Sequence, residues 1–332
     1  MAKRVCVLQD YLRMGGTERN SLALCNDLAR QGATVTLLTA RPGGILATAA
    51  KELGIQHCAS QFMDLKLNWF PPKTLKKMDG LDCDQVILMG RVANEFGWRI
   101  KDQNPDIELI ASIRTGRTLT KSYQKTLQIA DSIWVNSQYA ADRALALAIS
   151  QSKIKIVENF PIHQLSRTER LAKRDAARNC LGVIDSSKKV LLKIAAFRPG
   201  KCHEDLIRFL IESGQTPPTS SHWELWLVGS GSQEKRCQNL VRKLGMEEQV
   251  RFFGNQLDVS TFYYAADLAI SASREESNSN FIQEAIRVGL PVLAIQAGGT
   301  SESVNAAHGE VQWVADFSAF KKALLNRIKV ES

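Results

Sequence analysis

The sequence predicts an α/β protein with two open parallel-sheet domains. Short apolar segments that suit buried strands alternate along the chain with amphipathic segments that suit helices, as they do in βαβ units. The alternation lapses once, over the polar and basic residues 161–188, and then restarts. At about 100–200 residues per domain, 332 residues fit two domains. We therefore predict a first domain over residues 1–160, a linker with a short helix over 161–188 and a second domain over 189–332.

Each predicted strand is a short run of buried-type residues, and helical patterns with one apolar face lie between the strands. In the first domain the predicted strands are Val5–Gln9, Thr34–Thr39, Asp84–Met89, Ile107–Ile113 and Ser132–Asn136, and the predicted helices include Glu18–Arg30, Ile45–Leu53 and Ser137–Ile149. In the second domain the strands are Val190–Ala195, Trp223–Val228, Val250–Phe253, Leu268–Ala272 and Pro291–Ile295, and the helices are Glu204–Ser213, Gln233–Leu244, Asn280–Val288 and Phe317–Ile328.

The composition excludes several classes of protein. Apolar residues make up 44% of the chain and charged residues 23%, as in a soluble protein with a core. No run approaches the ~20 apolar residues that a membrane-spanning helix needs. Seven cysteines, an odd number with no C-x-x-C pair, argue against a disulfide framework and a zinc site. Because Met1–Arg4 runs directly into the first strand, we expect no signal peptide and a cytoplasmic protein.

The net charge of +9 suggests an anionic partner, such as phosphate, a lipid surface or nucleic acid. Nucleic acid is disfavoured because no segment shows an aromatic and basic recognition motif. The residues that could carry chemistry follow the predicted strands instead. In open α/β sheets, ligands bind at that edge.

A glycine turn follows the first strand and opens the first helix, with Gly15, Gly16 and Thr17 in sequence. Glycines let the backbone approach a ligand, and the N–H groups of a helix N-terminus suit an anion. No G-x-G-x-x-G fingerprint is present, so a dinucleotide cofactor lacks its main support. A tight turn with Thr17 as the helix N-cap is an equally good interpretation.

Two cations, Arg198 and Lys201, follow the first strand of the second domain. They suit a diphosphate because both side chains stay charged and donate hydrogen bonds to phosphate oxygens. The alternative is a loop with two solvated cations.

A polar loop and a helix after the predicted strand Leu268–Ala272 carry two carboxylates. Glu276 lies in the loop, and Glu284 lies about one turn into the helix that begins near Asn280. The helix N-terminus can face a phosphate, Glu284 can reach a ribose diol, and Glu276 can reach sugar hydroxyls. The alternative is a capped surface helix with two ordinary glutamates, which the apolar strands on both sides disfavour.

In order and spacing, these motifs resemble the GT-B glycosyltransferases of the large retaining GT4 family, the glycosyl transferases group 1. The resemblance covers nearly the whole chain and is strongest over residues 190–305. The matching segments are Gly15–Arg19, Arg198–Lys201, Val228–Gly231, Glu276 with Glu284, and Gly298–Glu302. The resemblance implies a GT-B fold, in which two Rossmann-like domains with parallel sheets face a central cleft.

The resemblance further implies a nucleotide-sugar donor, UDP- or GDP-linked, held mostly by the second domain. Lys201 and Arg198 would neutralise the diphosphate and form the catalytic set with Glu276, while Glu284 would bind the ribose. The other residues implied on the donor side are Ser277, Asn278, Ser279, Asn280, Phe281, Gly254 and Asn255. Those implied on the acceptor side are Gly15, Gly16, Thr17 and Arg114. No metal or other cofactor is implied, because basic side chains and a helix N-terminus stabilise the leaving diphosphate.

The chain departs from the family pattern at two positions. Arg114 follows Ile107–Ile113, where many members carry a histidine that helps to hold the donor sugar. Arg114 could instead meet an acidic sugar or an acceptor phosphate; the alternative is a solvated or structural arginine. Many members also carry an arginine shortly before the lysine, where this chain has Ala196, and Arg198 could substitute for it.

Residues 65–78 mix aliphatic, aromatic and basic side chains, which would suit an anionic membrane with Trp69 and Phe70 dipping into it. The lysines at the headgroups would be Lys73, Lys76 and Lys77. The sequence favours the alternative, a core-packed loop and helix with a solvated basic face.

We therefore predict a cytoplasmic, metal-independent, retaining glycosyltransferase of the hexosyltransferase type. It would act on a saccharide or glycolipid in bacterial surface polysaccharide or lipopolysaccharide synthesis. Peripheral contact to the inner face of the membrane would follow only if residues 65–78 face the lipid. One alternative is a nucleotide-sugar epimerase or another non-transferase on the same fold, for which only His203 lies beside a site motif. Another is a catalytically silent binding protein. The lone D-x-D of Asp82 and Asp84 is interpreted as structural.

Overall fold

A computed structural model describes residues 2–159, 166–183, 185, 187–212, 223–274, 276–302 and 310–328. The chain divides into two compact units, Met1–Ile162 and His163–Ser332. Within the described residues, each unit is one parallel sheet with helices packed on both of its faces. The predicted fold class, α/β with two Rossmann-like domains, is confirmed.

The first unit is built around strand β1, whose side chains alternate between two cores. The strands are β1 (Arg4–Gln9), β2 (Thr34–Thr39), β3 (Gln56–Ala59), β4 (Gln85–Leu88), β5 (Glu108–Ile113), β6 (Ser132–Val135) and β7 (Ile154–Ile156). The helices are α1 (Gly16–Arg30), α2 (Leu46–Glu52), α3 (Lys73–Asp79), α4 (Arg91–Gln103), α5 (Lys121–Ile129) and α6 (Gln138–Leu145). Val5 and Val7 pack with α1 and α2, whereas Cys6 and Leu8 pack on the opposite face with α4, α5 and α6. This is the alternation of a strand that is buried on both faces.

The second unit repeats this plan around strand β8. The strands are β8 (Lys189–Ile194), β9 (Trp223–Val228), β10 (Val250–Gly254), β11 (Leu268–Ser271), β12 (Val292–Ile295) and β13 (Val311–Val314). The helices are α7 (Arg167–Cys180), α8 (His203–Glu212), α9 (Glu234–Lys243), α10 (Ser260–Ala265), α11 (Asn280–Arg287) and α12 (Phe317–Ile328). Leu191 packs with α8, α9 and α12, and Leu192 packs on the opposite face with α7, α10 and α11.

The strand order of both sheets reverses next to the central strand. In the described residues the orders are β3-β2-β1-β4-β5-β6-β7 and β10-β9-β8-β11-β12-β13. The chain therefore moves outward in one direction from β1 or β8 and then returns to the other side with β4 or β11. In open α/β sheets, ligands bind at this reversal, outside the carboxyl ends of the strands. The loops after β8 and β11 carry Lys201 and Glu276, so the topology places both residues there.

Helix α7 lies in the segment that the sequence predicts as a linker, but it packs on the second unit. Two of its arginines, Arg170 and Arg178, are buried, and their guanidinium groups bond to fixed acceptors. Arg170 donates to the carbonyl of Ala266 over 3.0 Å, and Arg178 donates to Oδ2 of Asp267 over 3.0 Å. Asp267 also accepts from the amide of Val190 over 2.7 Å. The basic side chains of α7 therefore fasten the helix to the sheet of the second unit.

We expect Asp267→Asn to lower the free energy of unfolding by about 2–3 kcal/mol, because it leaves the buried Arg178 without its charge partner. Chemical denaturation at pH 7 measures this change. Asp175→Asn is the matched control, since the Asp175 side chain is 94% exposed and lies 4.0 Å from Arg174. Equal stability of the two variants would contradict the role of Asp267.

Candidate functional site

The loops after β8 and β11 meet in an ion pair. Nζ of Lys201 donates a hydrogen bond to Oε1 of Glu276, and only 13% of the lysine side chain and 10% of the glutamate side chain are exposed. The Arg274 amide donates to the Gly200 carbonyl over 3.0 Å and ties the two loops together. The structure thus brings together two of the three residues predicted for the catalytic set.

A short turn sets the direction of Lys201. A 3₁₀ turn spans Pro199–Lys201, Cys202 adopts the left-handed conformation with φ 54°, and α8 begins at His203. Arg198 precedes the turn, is exposed, and accepts a hydrogen bond from the Lys201 amide through its carbonyl at 3.0 Å. Both predicted cations therefore lie in one loop at the carboxyl end of β8, with Lys201 turned inward to Glu276.

The loop after β9 comes close to this turn because it contains glycine. A Cβ at Gly229 would lie 2.3 Å from the carbonyl oxygen of Ala195, and the φ of Gly229 is +129°. The Gly229 amide donates to the carbonyl of Gly254 over 2.7 Å. Gly254 and the exposed Asn255, both predicted near the nucleotide base, therefore lie at the same sheet edge as the ion pair.

Helix α11 begins directly after the loop that holds Glu276. Its cap residue Ser279 has an extended backbone and makes no side-chain cap within the described residues. Ser277 and Ser279 are buried, and Nε2 of Gln283 donates to Oδ1 of Asn278 over 2.9 Å, which holds the loop against the helix. The amides and dipole at a helix N-terminus attract an anion. The predicted donor segment Ser277–Phe281 thus lies beside the ion pair.

Glu284 is buried one turn into α11, and a tyrosine fixes its carboxylate. The hydroxyl of Tyr263 donates to Oε2 of Glu284 over 2.7 Å. Tyr263 is fully buried in α10, and its ring stacks on Phe281 with 6.0 Å between centroids. Sequence reasoning missed Tyr263, because its place in an apolar helix looks like ordinary core. The Phe281 side chain belongs to this packing, and its carbonyl accepts a hydrogen bond from the Tyr263 hydroxyl over 3.4 Å.

A lysine and a histidine are buried behind the ion pair. Burial and, after it, the ammonium of Lys201 lower the pKa of Lys193 to about 8. His203 stacks on Phe197 with 4.1 Å between ring centroids, and both of its ring nitrogens are buried without a hydrogen-bond partner in the described part of the chain. Burial, followed by Lys193 and Lys201, lowers the pKa of His203 to about 2. His203 is therefore neutral and presents no nitrogen to a sugar, which removes the residue on which the epimerase alternative depended.

The glycine turn of the first unit has a different helix cap residue from the one that the sequence suggests. Helix α1 begins at Gly16 with Gly15 as its cap residue, so the interpretation of Thr17 as the N-cap is wrong. A Cβ at Gly15 would lie 2.1 Å from Oε2 of Glu18. Glu18 is buried, pairs with Arg13 over 3.2 Å, and has its pKa raised by burial. Sequence reasoning missed Glu18, which adds a buried carboxylate to this turn.

Arg114 directly follows strand β5, at the carboxyl edge of the first sheet. Its Nη1 donates to Oδ1 of Asn159 over 2.8 Å, whereas Nε and Nη2 are buried without a partner among the residues that the structure describes. Burial lowers the pKa of Arg114 to about 10. The interpretation of Arg114 as a solvated side chain is therefore wrong.

The aspartates of the D-x-D segment serve the fold. Asp82 and Asp84 both form ion pairs with Arg4. In the described ranges, no group of three or more His, Cys, Asp or Glu side chains could hold a metal ion. No described helix has both the length and the apolar character required to span a membrane.

The family model of the glycosyl transferases group 1 matches residues 182–329, the part of the chain that holds the ion pair, α11 and Glu284. The second unit therefore has the sequence pattern of the glycosyl transferases group 1. The family that the motifs resemble is confirmed, and so is the enzyme class that the resemblance implies.

The chain is 29% identical over 133 residues to the N-acetyl-alpha-D-glucosaminyl L-malate synthase of Bacillus anthracis, a match that covers 40% of this chain and 33% of that protein. It is 24% identical over 290 residues to an uncharacterized glycosyltransferase of Haemophilus influenzae, covering 84% and 76% of the two chains. The chain therefore spans a third of the first relative and about three-quarters of the second. Shorter matches carry names from lipopolysaccharide core and Vi polysaccharide biosynthesis.

The fold of the chain is similar to that of a solved structure. Anabaena Alr3699/HepE in complex with UDP-glucose has a TM-score of 0.75 at 20% identity, over 98% of this chain and 88% of that one. At this identity the likeness concerns the fold, and it agrees with the fold class predicted from the sequence.

From the lowered pKa of the buried His203 we expect the protein to lose stability in acid. An unfolded histidine binds a proton below about pH 6.5, whereas folded His203 stays neutral to about pH 2, so the unfolded state binds more protons in between. Stability must then fall as the pH drops through 6.5. We expect His203→Phe, which keeps a ring against Phe197, to remove about 2 kcal/mol of the loss between pH 7.5 and 5. Denaturation of both proteins across this range measures the difference, and parallel pH curves would contradict it.

Proposed function

We propose that this group 1 glycosyltransferase is a retaining, metal-independent enzyme of the GT4 type. It moves a hexosyl group from a UDP- or GDP-linked donor to a saccharide or glycolipid acceptor. The observation that carries the proposal is the Lys201–Glu276 pair beside the N-terminus of α11, at the strand-order reversal of the second unit. A nucleoside diphosphate needs cations and amides for its phosphates and a carboxylate for its ribose hydroxyls. Lys201, the α11 N-terminus and Glu284 supply these groups at one edge of one sheet.

Departure of the nucleoside diphosphate is the step that these residues assist. As the bond between the anomeric carbon and the phosphate oxygen breaks, negative charge grows on the leaving group. Lys201, Arg198 and the amides of Ser277–Phe281 stabilise that charge, which does the work that a metal ion does elsewhere. The leaving phosphate accepts the proton of the acceptor hydroxyl, which attacks from the same face and so retains the configuration. When the diphosphate replaces Glu276 as the partner of Lys201, Glu276 accepts hydrogen bonds from the hydroxyls of the donor sugar.

The first unit is assigned to the acceptor in this proposal. Gly15, Gly16 and Thr17 let a sugar approach the backbone at the start of α1, where the buried Glu18 can accept a hydroxyl proton in a hydrogen bond. Arg114 is half-buried, and its Nε and Nη2 are buried without a partner within the described residues. An acidic or phosphorylated sugar would offset that charge.

Lipopolysaccharide or surface polysaccharide synthesis is the proposed setting, which the names of the shorter matches support. We place the enzyme in the cytoplasm with peripheral contact to the membrane. The support for membrane contact is an exposed apolar segment over residues 62–69, which we call the apolar loop. Its exposed side chains are Phe62, Met63, Leu65, Leu67 and Trp69.

The apolar loop is anchored by its backbone while it displays these side chains. Nε2 of Gln61 donates to the carbonyls of Leu67 and Trp69, both over 2.8 Å, and Arg41 pairs with Asp64 over 2.7 Å. Phe62 is 99% exposed. The structure corrects one predicted membrane residue: Phe70 is buried and stacks on Phe96 with 5.2 Å between centroids.

Nucleotide binding tests the donor site. In a thermal-shift screen of UDP-, GDP-, ADP- and CMP-sugars, we expect one nucleotide class to raise the melting temperature. Lys201→Met should weaken the matching nucleoside diphosphate at least tenfold and leave the bare nucleoside unaffected, since it removes a phosphate contact. Glu284→Gln should weaken both ligands, since it removes a ribose contact.

The matched controls for that screen are Lys243→Met and Glu247→Gln, exposed residues of the same unit. Both should bind like the unaltered protein. Binding of no nucleotide at all, or equal binding by Lys201→Met and Lys243→Met, would contradict the proposed function.

Co-sedimentation with vesicles tests the membrane contact. We expect binding to equimolar phosphatidylglycerol and phosphatidylcholine vesicles that weakens at least tenfold when Lys73, Lys76 and Lys77 are changed to Gln, because each lysine near an anionic surface contributes about 1 kcal/mol. Phe62→Ser should weaken it further by removing apolar insertion. The control changes three exposed lysines of the second unit, Lys235, Lys243 and Lys322. Absence of binding to the anionic vesicles would refute the contact.

A further inference from the structure

Strand β8 carries a lysine where its neighbours carry aliphatic side chains. Lys193 is in register with Leu227 of β9, lies on the same sheet face as Leu191, and is 1% exposed. No hydrogen bond or ion pair of its ammonium is found among the described residues, although burial of an ammonium without a partner is strongly unfavourable. A lysine at this position therefore calls for a reason other than packing.

The groups that face Lys193 leave its charge uncompensated. Lys201, Cys202 and His203 face it from the segment after β8, and Glu276 faces it from the loop after β11. Glu276 is already paired with Lys201, and His203 is neutral. The flanking positions on the neighbouring strands are apolar. The cluster thus contains two ammonium groups and one carboxylate, so it is one negative charge short of neutrality.

We propose that Lys193 completes the diphosphate subsite as a buried second cation behind Lys201, and that it takes up a proton from solvent when the diphosphate binds. The inference rests on the proposed function and deepens it. An opposite charge nearby favours the protonated form of a lysine, so the arriving diphosphate raises the proton affinity of Lys193. Because Lys193 acts through the field at the subsite and not by contact, it is a positioning residue.

The coupling makes nucleotide affinity depend on pH above neutrality. In the free protein the pKa of Lys193 is about 8, so about half of the molecules carry the charge at pH 8 and about one in ten at pH 9. A diphosphate that keeps Lys193 fully protonated when bound would draw about 0.5 proton at pH 8 and about 0.9 at pH 9. Affinity for the diphosphate should fall about tenfold between pH 7 and pH 9.

Calorimetric titration with UDP or GDP, whichever binds, measures this uptake directly when it is repeated in two buffers of different ionisation enthalpy. We expect the unaltered protein to take up protons as stated, and Lys193→Met to take up none and to lose the pH dependence. Lys189→Met is the matched control, since Lys189 lies at the exposed start of the same strand. This control should take up protons like the unaltered protein. Binding of the matching nucleoside, which has no phosphates, should be accompanied by no proton uptake.

The outcomes separate this inference from the proposed function. A diphosphate that binds without proton uptake at pH 8 and 9, or with equal uptake in Lys193→Met, overturns the role of Lys193 and leaves the donor site intact. If the protein binds neither UDP nor GDP, both the role of Lys193 and the proposed function are overturned. Should Lys193→Met fail to fold, Lys193→Arg replaces it, because an arginine keeps its charge and must abolish the uptake. The rise in uptake from pH 8 to 9 in the unaltered protein is required in either case.

Discussion

The ion pair between Lys201 and Glu276 joins two loops that the strand order alone would leave apart. Strands β8 and β11 are neighbours in the sheet, but the connections after them run to opposite sides. An open sheet therefore has a crevice at this point. The pair spans that crevice, and α11 begins just beyond it, so the first-turn amides and Glu284 are held in a fixed relation to the lysine. Every part of the donor site depends on this arrangement.

Buried charge is used in two ways within the second unit. Arg170 and Arg178 are buried with carbonyl and carboxylate acceptors in reach, and they fasten α7 to the sheet. Lys193 is buried with its nearest carboxylate already engaged by Lys201. In the first arrangement the protein itself supplies the partners that compensate the buried charge. In the second arrangement, an anion bound at the site would compensate the buried charge of Lys193. The two kinds of burial therefore have different explanations.

Strands in the middle of each sheet could be predicted because they are continuous apolar runs, as in Val5–Gln9 and Val190–Ala195. The site loops followed from them, since polar residues placed after such strands must lie at one sheet edge. Short peripheral strands such as β3, β7 and β13 escaped prediction, because three or four residues carry too little periodic signal.

Other features depend on contacts between distant segments. Tyr263 supports Glu284 from another helix, and Phe70 is buried by Phe96, so neither role is visible along the chain. The basic face of α7 resembled a solvated linker because its acceptors, Ala266 and Asp267, lie far away in sequence. Local pattern predicts which segments form elements; the partners of buried polar side chains come only with the assembled fold.

A crystal structure with an intact nucleotide sugar tests the central claim most directly. The account predicts the diphosphate within hydrogen-bond distance of the Lys201 ammonium and of amides at the start of α11, with the ribose hydroxyls on Glu284. A diphosphate bound elsewhere on the chain, with Lys201 and Glu276 still paired as they are without it, would contradict it.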